Sequence, residues 1–218
     1  ARRGAELILL GRSVPKLEGL DAEIGRLTRY DGSPVVPPVL APLDLENALA
    51  RDYDAIAEAI EQRWGRLDGL VHNASLLGQL APIEQFDVPT WMRVMHVNLN
   101  AAFALTQVLM PALRASSDAA VLFTSSGVGR RGRAYWGAYA VSKFGTEGLV
   151  QVLAAELEQT RVRVNAINPG RARTAMRRQA YPSEDASTLP EPSALVAPYV
   201  VLLGPQSRGI TGGSFDAQ

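Results

Sequence analysis

The stretch Ala119–Lys143, AAVLFTSSGVGRRGRAYWGAYAVSK, holds one complete strand-to-helix unit. Ala119–Thr124 is apolar at consecutive positions, the pattern of a strand buried on both faces. Ser125-Ser126-Gly127 closes it with a small polar step, and Tyr135–Gln159 reads as a helix. Continuous apolar strands followed by helices belong to a parallel sheet with helices on both sides.

Outward from this unit the same alternation recurs. Toward the C-terminus, Val162–Ile167 reads as a strand, Arg171–Pro192 as an irregular region, Ser193–Leu203 as a helix and Gly209–Phe215 as a last strand. Toward the N-terminus, Thr90 caps a long helix reaching Arg114, with Pro111 bending or ending it. Before that come strands at Ala5–Leu10, Val39–Leu43 and Leu67–Val71, with helices at about Val14–Thr28 and Glu46–Trp64. Leu49, Tyr53, Ile56, Ala57 and Ile60 repeat near the helical period in the second of these helices. No linker divides the chain, so residues 1–218 are expected to form a single domain, an α/β fold with a doubly wound parallel sheet.

The composition sets outer bounds. Formal net charge is +0, which gives no electrostatic footprint for nucleic acid or an anionic membrane surface. No apolar run approaches the roughly 20 residues that span a bilayer. The absence of cysteine excludes disulfides, thiol nucleophiles and thiolate metal sites and favours a cytoplasmic protein. Neither His72 nor His96 has metal-like company, so no metal is assigned. Of the 22 basic residues only Lys16 and Lys143 are lysines, which makes a lysine informative by its rarity.

Ligands of such sheets bind beyond the C-terminal ends of the strands. Those positions carry Gly11-Arg12-Ser13, Asp44-Leu45, His72-Asn73-Ala74-Ser75, Ser125-Ser126-Gly127 and Asn168-Pro169-Gly170, nearly all small or polar. Tyr139 and Lys143 stand four apart on one helix face. A free phenol is a poor base at neutral pH, and a nearby cation lowers its pKa. Ser126 ends the preceding strand, where its hydroxyl can steady charge developing on a substrate oxygen. Ser125 is its rival for that place. An exposed Tyr/Lys helix pair is the plain alternative, weakened by the strand-end serine and the surrounding alternation.

Taken together these residues resemble the short-chain dehydrogenase/reductase family across nearly the whole chain. Ser126, Tyr139 and Lys143 match its Ser, twelve residues, Tyr, three residues, Lys pattern, and Asn98 in HVNLN matches its fourth catalytic residue. Asn168-Pro169-Gly170 with Thr174 matches its NPG turn, and His72-Asn73-Ala74-Ser75 its NNAG segment, with serine where glycine is usual. HNASLLG and the terminal FDAQ place it near a bacterial subgroup of these oxidoreductases. The resemblance implies interconversion of a carbonyl and a secondary alcohol by hydride transfer with a nicotinamide cofactor. Tyr139 would exchange the proton, Lys143 would lower its pKa and grip the nicotinamide ribose, Ser126 would position the substrate oxygen, and Asn98 would hold a water. Pro169, Gly170 and Thr174 would hold the nicotinamide end, Asp44 and Leu45 would face the adenine, and Asn73 and Ala74 would line the adenosine side.

Bland readings stand beside these. Asn98 also suits backbone satisfaction inside a helix, and Asp44 a helix N-cap ahead of Glu46. Tyr135 and Trp136 read as a pocket rim or a subunit contact. Arg12 and Ser13, with no acidic residue in reach after the first strand, favour NADP(H), since a guanidinium suits a 2′-phosphate; NAD(H) is the alternative carrier. The resemblance further implies a small-molecule carbonyl or alcohol substrate and a homo-oligomer, dimer or tetramer, built on helices 90–114 and 135–159. Residues 171–192 would form the substrate loop, and Arg171, Arg173, Arg177 and Arg178 suit a carboxylate- or phosphate-bearing substrate no better than a solvated loop or an acidic neighbour. A cofactor-binding sensor or structural oligomer with this fold is the competing function. Ala1–Gly4 reads as the last turn of a crossover helix, so the first strand and its glycine-rich phosphate turn, on the order of 30 residues, are expected to precede it.

Overall fold

A computed structural model describes residues 1–218, which divide into two compact units, Ala1–Ile56 and Ala57–Gln218. In the first unit, β1 (Ile8–Gly11) and β2 (Val39–Pro42) pair in parallel, Ile8 opposite Val39. Between them runs α1 (Val14–Gly25), whose buried residues are Leu17 and Ile24. Gly4 takes a left-handed φ of 88° and its N–H reaches the Ala1 carbonyl at 2.8 Å, the turn expected of a glycine closing a helical turn. α2 (Ala50–Trp64) starts in this unit, four residues later than the periodicity suggests. The Asp44 carboxylate explains the delay: it accepts from the Glu46 N–H at 3.2 Å and the Asn47 amide at 2.8 Å, folding a turn rather than capping a helix. The Asp52 carboxylate then closes the true start by accepting from the Leu49 N–H at 2.8 Å.

The second unit carries the larger sheet, β3 (Gly69–His72), β4 (Ala119–Thr124), β5 (Val162–Asn168) and β6 (Ser214–Asp216), all parallel and in that order. The strands thus lie in two ladders rather than one continuous sheet, because no strand of the chain pairs with both β1 and β3. Ala119–Phe123 is buried throughout, as its unbroken apolar run predicts, and Val162–Ile167 is buried throughout although Arg163 and Asn165 interrupt its apolar residues. The polar residues inside β5 find partners for most of their groups, although the Arg163 Nε is buried without one. Arg163 pairs with Asp118, and Asn165 donates to the Ile210 carbonyl at 2.8 Å while accepting from the Gly213 N–H at 3.0 Å.

The long helix expected from Thr90 to Arg114 is three segments: α3 (Val88–Met95), a π-turn at His96–Asn100, and α4 (Ala101–Ala115). Its cap is Asp87, whose carboxylate accepts from the Thr90 N–H at 2.8 Å, and Pro111 lies inside α4 without ending it. α5 (Gly137–Glu156) crosses from β4 to β5, and α6 (Ala175–Ala180) and α7 (Val196–Leu203) precede β6. Leu202 of α7 packs on Leu122 and Ile167 of the sheet. No helix is long and apolar enough to cross a membrane.

Candidate active site

The parallel register of β3, β4 and β5 brings their C-terminal ends together, so residues after His72, Thr124 and Asn168 collect along one edge. α5 starts from that edge, and its 3.6-residue repeat turns Tyr139, Lys143 and Glu147 toward it on one face. Tyr139 is 8% exposed and hydrogen-bonds Ser126. Burial holds its phenol above the ordinary value, and the Ser126 bond pulls the other way. Tyr139 is therefore a protonated donor at neutral pH. Ser125 points elsewhere, donating to Glu147 Oε1 at 2.5 Å, so the two serines divide their work.

Lys143 is 3% exposed, and its Nζ donates to the Thr124 carbonyl at 2.7 Å and lies 5.7 Å from the Tyr139 ring. Desolvation pulls its pKa down to about 8. His72 stacks on Phe123 with centroids 4.5 Å apart, and its Nε2 lies 2.8 Å from Thr106 Oγ1. The Thr106 proton goes to the Ala102 carbonyl at 2.8 Å, so this hydroxyl can only accept from the ring. His72 is thus the neutral Nε2–H tautomer, consistent with burial and the Lys143 charge lowering its pKa to about 3.

Asn98 lies in the π-turn and is 4% exposed. Its Oδ1 accepts from the Leu76 N–H at 2.7 Å, and its amide donates to the Leu76 carbonyl at 2.9 Å and Ser142 Oγ at 3.0 Å. Both amide protons are spent, so the side chain braces the loop after β3 against α5. An open cavity of about 540 Å³ reaches this loop, lined by Leu76, Leu77, Gly78, Thr90, Val94 and Gln179. Asn73 and Ala74 are exposed, with Asn73 Oδ1 accepting from the Thr124 hydroxyl at 3.1 Å. Ser75, in the position where glycine was expected, keeps a negative φ, and its hydroxyl is buried without a partner.

The turn after β5 is held from two sides. Asn168 Oδ1 accepts from the Gly170 N–H at 3.0 Å, and Gly170 has a left-handed φ of 73°. Gln218 donates to the Pro169 and Arg171 carbonyls at 2.7 and 2.8 Å, and a Cβ on Gly170 would stand 2.8 Å from the Gln218 amide. Thr174 caps α6 by accepting from the Arg177 N–H at 3.1 Å. In the first unit, Arg12 is exposed with Nη1 3.8 Å from Glu46, Leu45 is buried, and Ser13 precedes α1 without its hydroxyl capping the helix.

Reasoning from the sequence missed one network. Arg130 makes paired bonds to Asp216 at 2.9 and 3.0 Å, donates to the Phe215 carbonyl at 2.7 Å and Ser214 Oγ at 2.9 Å, and lies 3.3 Å from Glu147 Oε1. Asp216 also accepts from the Asn168 amide at 2.8 Å. This network joins the residue beside Ser126, the face of α5, the NPG turn and the C-terminal strand. Glu147 was the available signal, standing four residues beyond Lys143 on the same helix face.

The family model for short chain dehydrogenases matches residues 1–185. The oxidoreductase YciK of Escherichia coli K12 is 47% identical over 218 residues, all of this chain and 84% of that protein. A short chain dehydrogenase structure from Pseudomonas syringae superposes with a TM-score of 0.93 at 50% identity, covering 99% of this chain and 85% of that one. Another, from Shigella flexneri 2a and solved with NADP, gives 0.93 at 46% identity, covering 99% and 87%.

Proposed function

This chain belongs to the short-chain dehydrogenase family, and from that membership we propose that it interconverts a small carbonyl compound and its secondary alcohol, with NADP(H) as hydride carrier. The observation that carries the reading is the Ser126–Tyr139 pair beside a buried Lys143. Two phenol and hydroxyl donors converge where a carbonyl oxygen would gain negative charge. Tyr139, held protonated by burial, gives its proton to that oxygen on reduction and takes it back on oxidation. Ser126 holds the oxygen through the transition state. Lys143 presents its charge from below, braced by the Thr124 carbonyl.

The chain's donors suit the two ends of a nicotinamide dinucleotide. An ammonium has three N–H donors, and Lys143 gives one to Thr124, leaving two for ribose hydroxyls. Arg12, the Ser13 hydroxyl left free of capping, and the α1 N-terminus suit a 2′-phosphate. A homologous structure with NADP bound, 46% identical and covering 99% of this chain, supports the phosphorylated carrier. When bound, the carrier supplies the hydride. Pro169, Gly170 and Thr174 would hold its nicotinamide end, Asp44 and Leu45 its adenine, and Asn73 and Ala74 its adenosine side. Exposed Phe103, Val141, Phe144 and Val152 on α4 and α5 support self-association through those helices.

The test is NADPH oxidation across a panel of carbonyl compounds, wild type beside Tyr139→Phe. The variant should bind NADPH as wild type does and lose about three orders of magnitude in kcat. Equal turnover by the two proteins would remove Tyr139 from the chemistry.

A further inference from the structure

We propose that Trp136 and Tyr181 form an aromatic wall that selects neutral, ring-bearing carbonyl substrates. The proposal rests on the reading of Tyr139 as the proton donor and adds the substrate class to it. Trp136 lies three residues before Tyr139, with ring centroids 5.8 Å apart. On its other side is Tyr181, 5.9 Å away, at the end of α6. A carbonyl accepting a proton from Tyr139 carries its two substituents within a few ångströms of that phenol. One of them meets the indole of Trp136.

The wall is held on both sides. Arg133 Nη1 donates to the Tyr181 hydroxyl at 2.6 Å, and the Arg177 guanidinium lies 3.8 Å from the centre of the Tyr181 ring. Arg177 is itself clamped by two 2.6 Å bonds to Glu184. The turn that delivers Trp136 is strained: Tyr135 has a φ of 73°, the one residue other than glycine with positive φ. Such a conformation persists only where the surroundings over-determine it. Here the Trp136 N–H bonds the Arg133 carbonyl at 3.2 Å and the Tyr135 carbonyl accepts from the Ala81 N–H at 3.1 Å.

Two features set the substrate class. A flat or cyclic substituent meets an aromatic face with little conformational entropy to lose, whereas a flexible chain must be ordered. Two of the four arginines of the loop are engaged by glutamates. Arg177 is spent on Glu184, and Arg173 on Glu191 at 2.7 Å and on the Leu189 carbonyl at 3.2 Å. Of the readings open for the basic loop, the acidic-neighbour one holds for Arg173 and Arg177, whose charges are each matched by a glutamate, while Arg171 and Arg178 are exposed.

The experiment compares cyclohexanone with methyl butyl ketone and with a carboxylated cyclohexanone, in wild type, Trp136→Ala and Trp136→Phe. Wild type should favour cyclohexanone over the linear ketone in kcat/KM by about ten-fold. Trp136→Ala should lower kcat/KM for the ring ketone by about ten-fold, mostly in KM, and for the linear ketone several-fold less. Trp136→Phe should restore most of the preference. Binding of the same three probes to Tyr139→Phe, followed by ligand-observed NMR, tests the wall without the chemistry. A protein that turns over no carbonyl yet binds cyclohexanone through Trp136 would sink the catalytic reading and leave the wall standing. Preference for the linear or the carboxylated ketone, or a ring preference that Trp136→Ala leaves unchanged, would overturn the wall.

Discussion

His72 and Lys143 show how strongly a single position at the sheet edge departs from its behaviour in water. Both lose solvation, and the Lys143 charge further disfavours a second cation on His72. His72 titrates near its ordinary 6.5 in the unfolded chain and at about 3 in the folded one. Between those values the unfolded state binds a proton that the folded state refuses, so stability falls as pH drops from 6.5 toward 3. His72→Gln keeps an N–H for the Thr106 hydroxyl and has nothing to titrate. Urea unfolding of this variant should lose on the order of a few kcal/mol less than wild type between neutral pH and pH 4. Parallel pH profiles for the two proteins would contradict the assignment of a neutral, desolvated His72.

Among the elements, α5 does the most to assemble the site, presenting Tyr139, Lys143 and Glu147 at successive helical turns. Its third member connects the helix to the chain's C-terminal strand through Arg130. Removing Arg130 leaves the Glu147 carboxylate buried with only the hydroxyls of Ser125 and Ser214. Arg130→Met should therefore cost about 3 kcal/mol in urea unfolding. Arg130→Met combined with Glu147→Leu should cost less than the single change, because no uncompensated buried charge remains and Asp216 is exposed to solvent. A double variant as unstable as the sum of its parts would show that the pair is not coupled. The element boundaries have comparable local causes. Asp87 starts α3 because its side chain can fold back on Thr90, and Asp44 postpones α2 because its own turn competes with the helix.

At the scale of the molecule, binding a ligand to the native state raises its stability by mass action. NADPH at about 100 times its dissociation constant should add ~2.7 kcal/mol, visible as a raised Tm. NADH should add less if Arg12 meets the 2′-phosphate. Arg12→Ala should then bring the NADPH shift down to that of NADH and leave the NADH shift alone. Equal shifts from the two cofactors in the wild type would remove Arg12 from recognition. The same measurement without cofactor serves as the control, since Arg12 is exposed and its 3.8 Å pairing with Glu46 is of the kind that contributes little.

What could be read in the sequence was whatever is local. The apolar run of β4 specifies a buried parallel strand by itself, and a four-residue spacing specifies that Tyr139 and Lys143 share a helix face. The alternation of these segments determined the fold class, and the order of Asn98, Ser126, Tyr139 and Lys143 determined the family resemblance. The tertiary structure decided what depends on distant partners. The π-turn at Asn98 is marked by no glycine or proline in HVNLN, and the partner of Asn98 lies 22 residues away at Leu76. Arg130 and Asp216 are 86 residues apart, and Arg133 and Tyr181 are 48 apart. Nothing in the spacing of such residues announces a contact, because side chains that far apart meet only after the sheet has set the register of the strands that carry them.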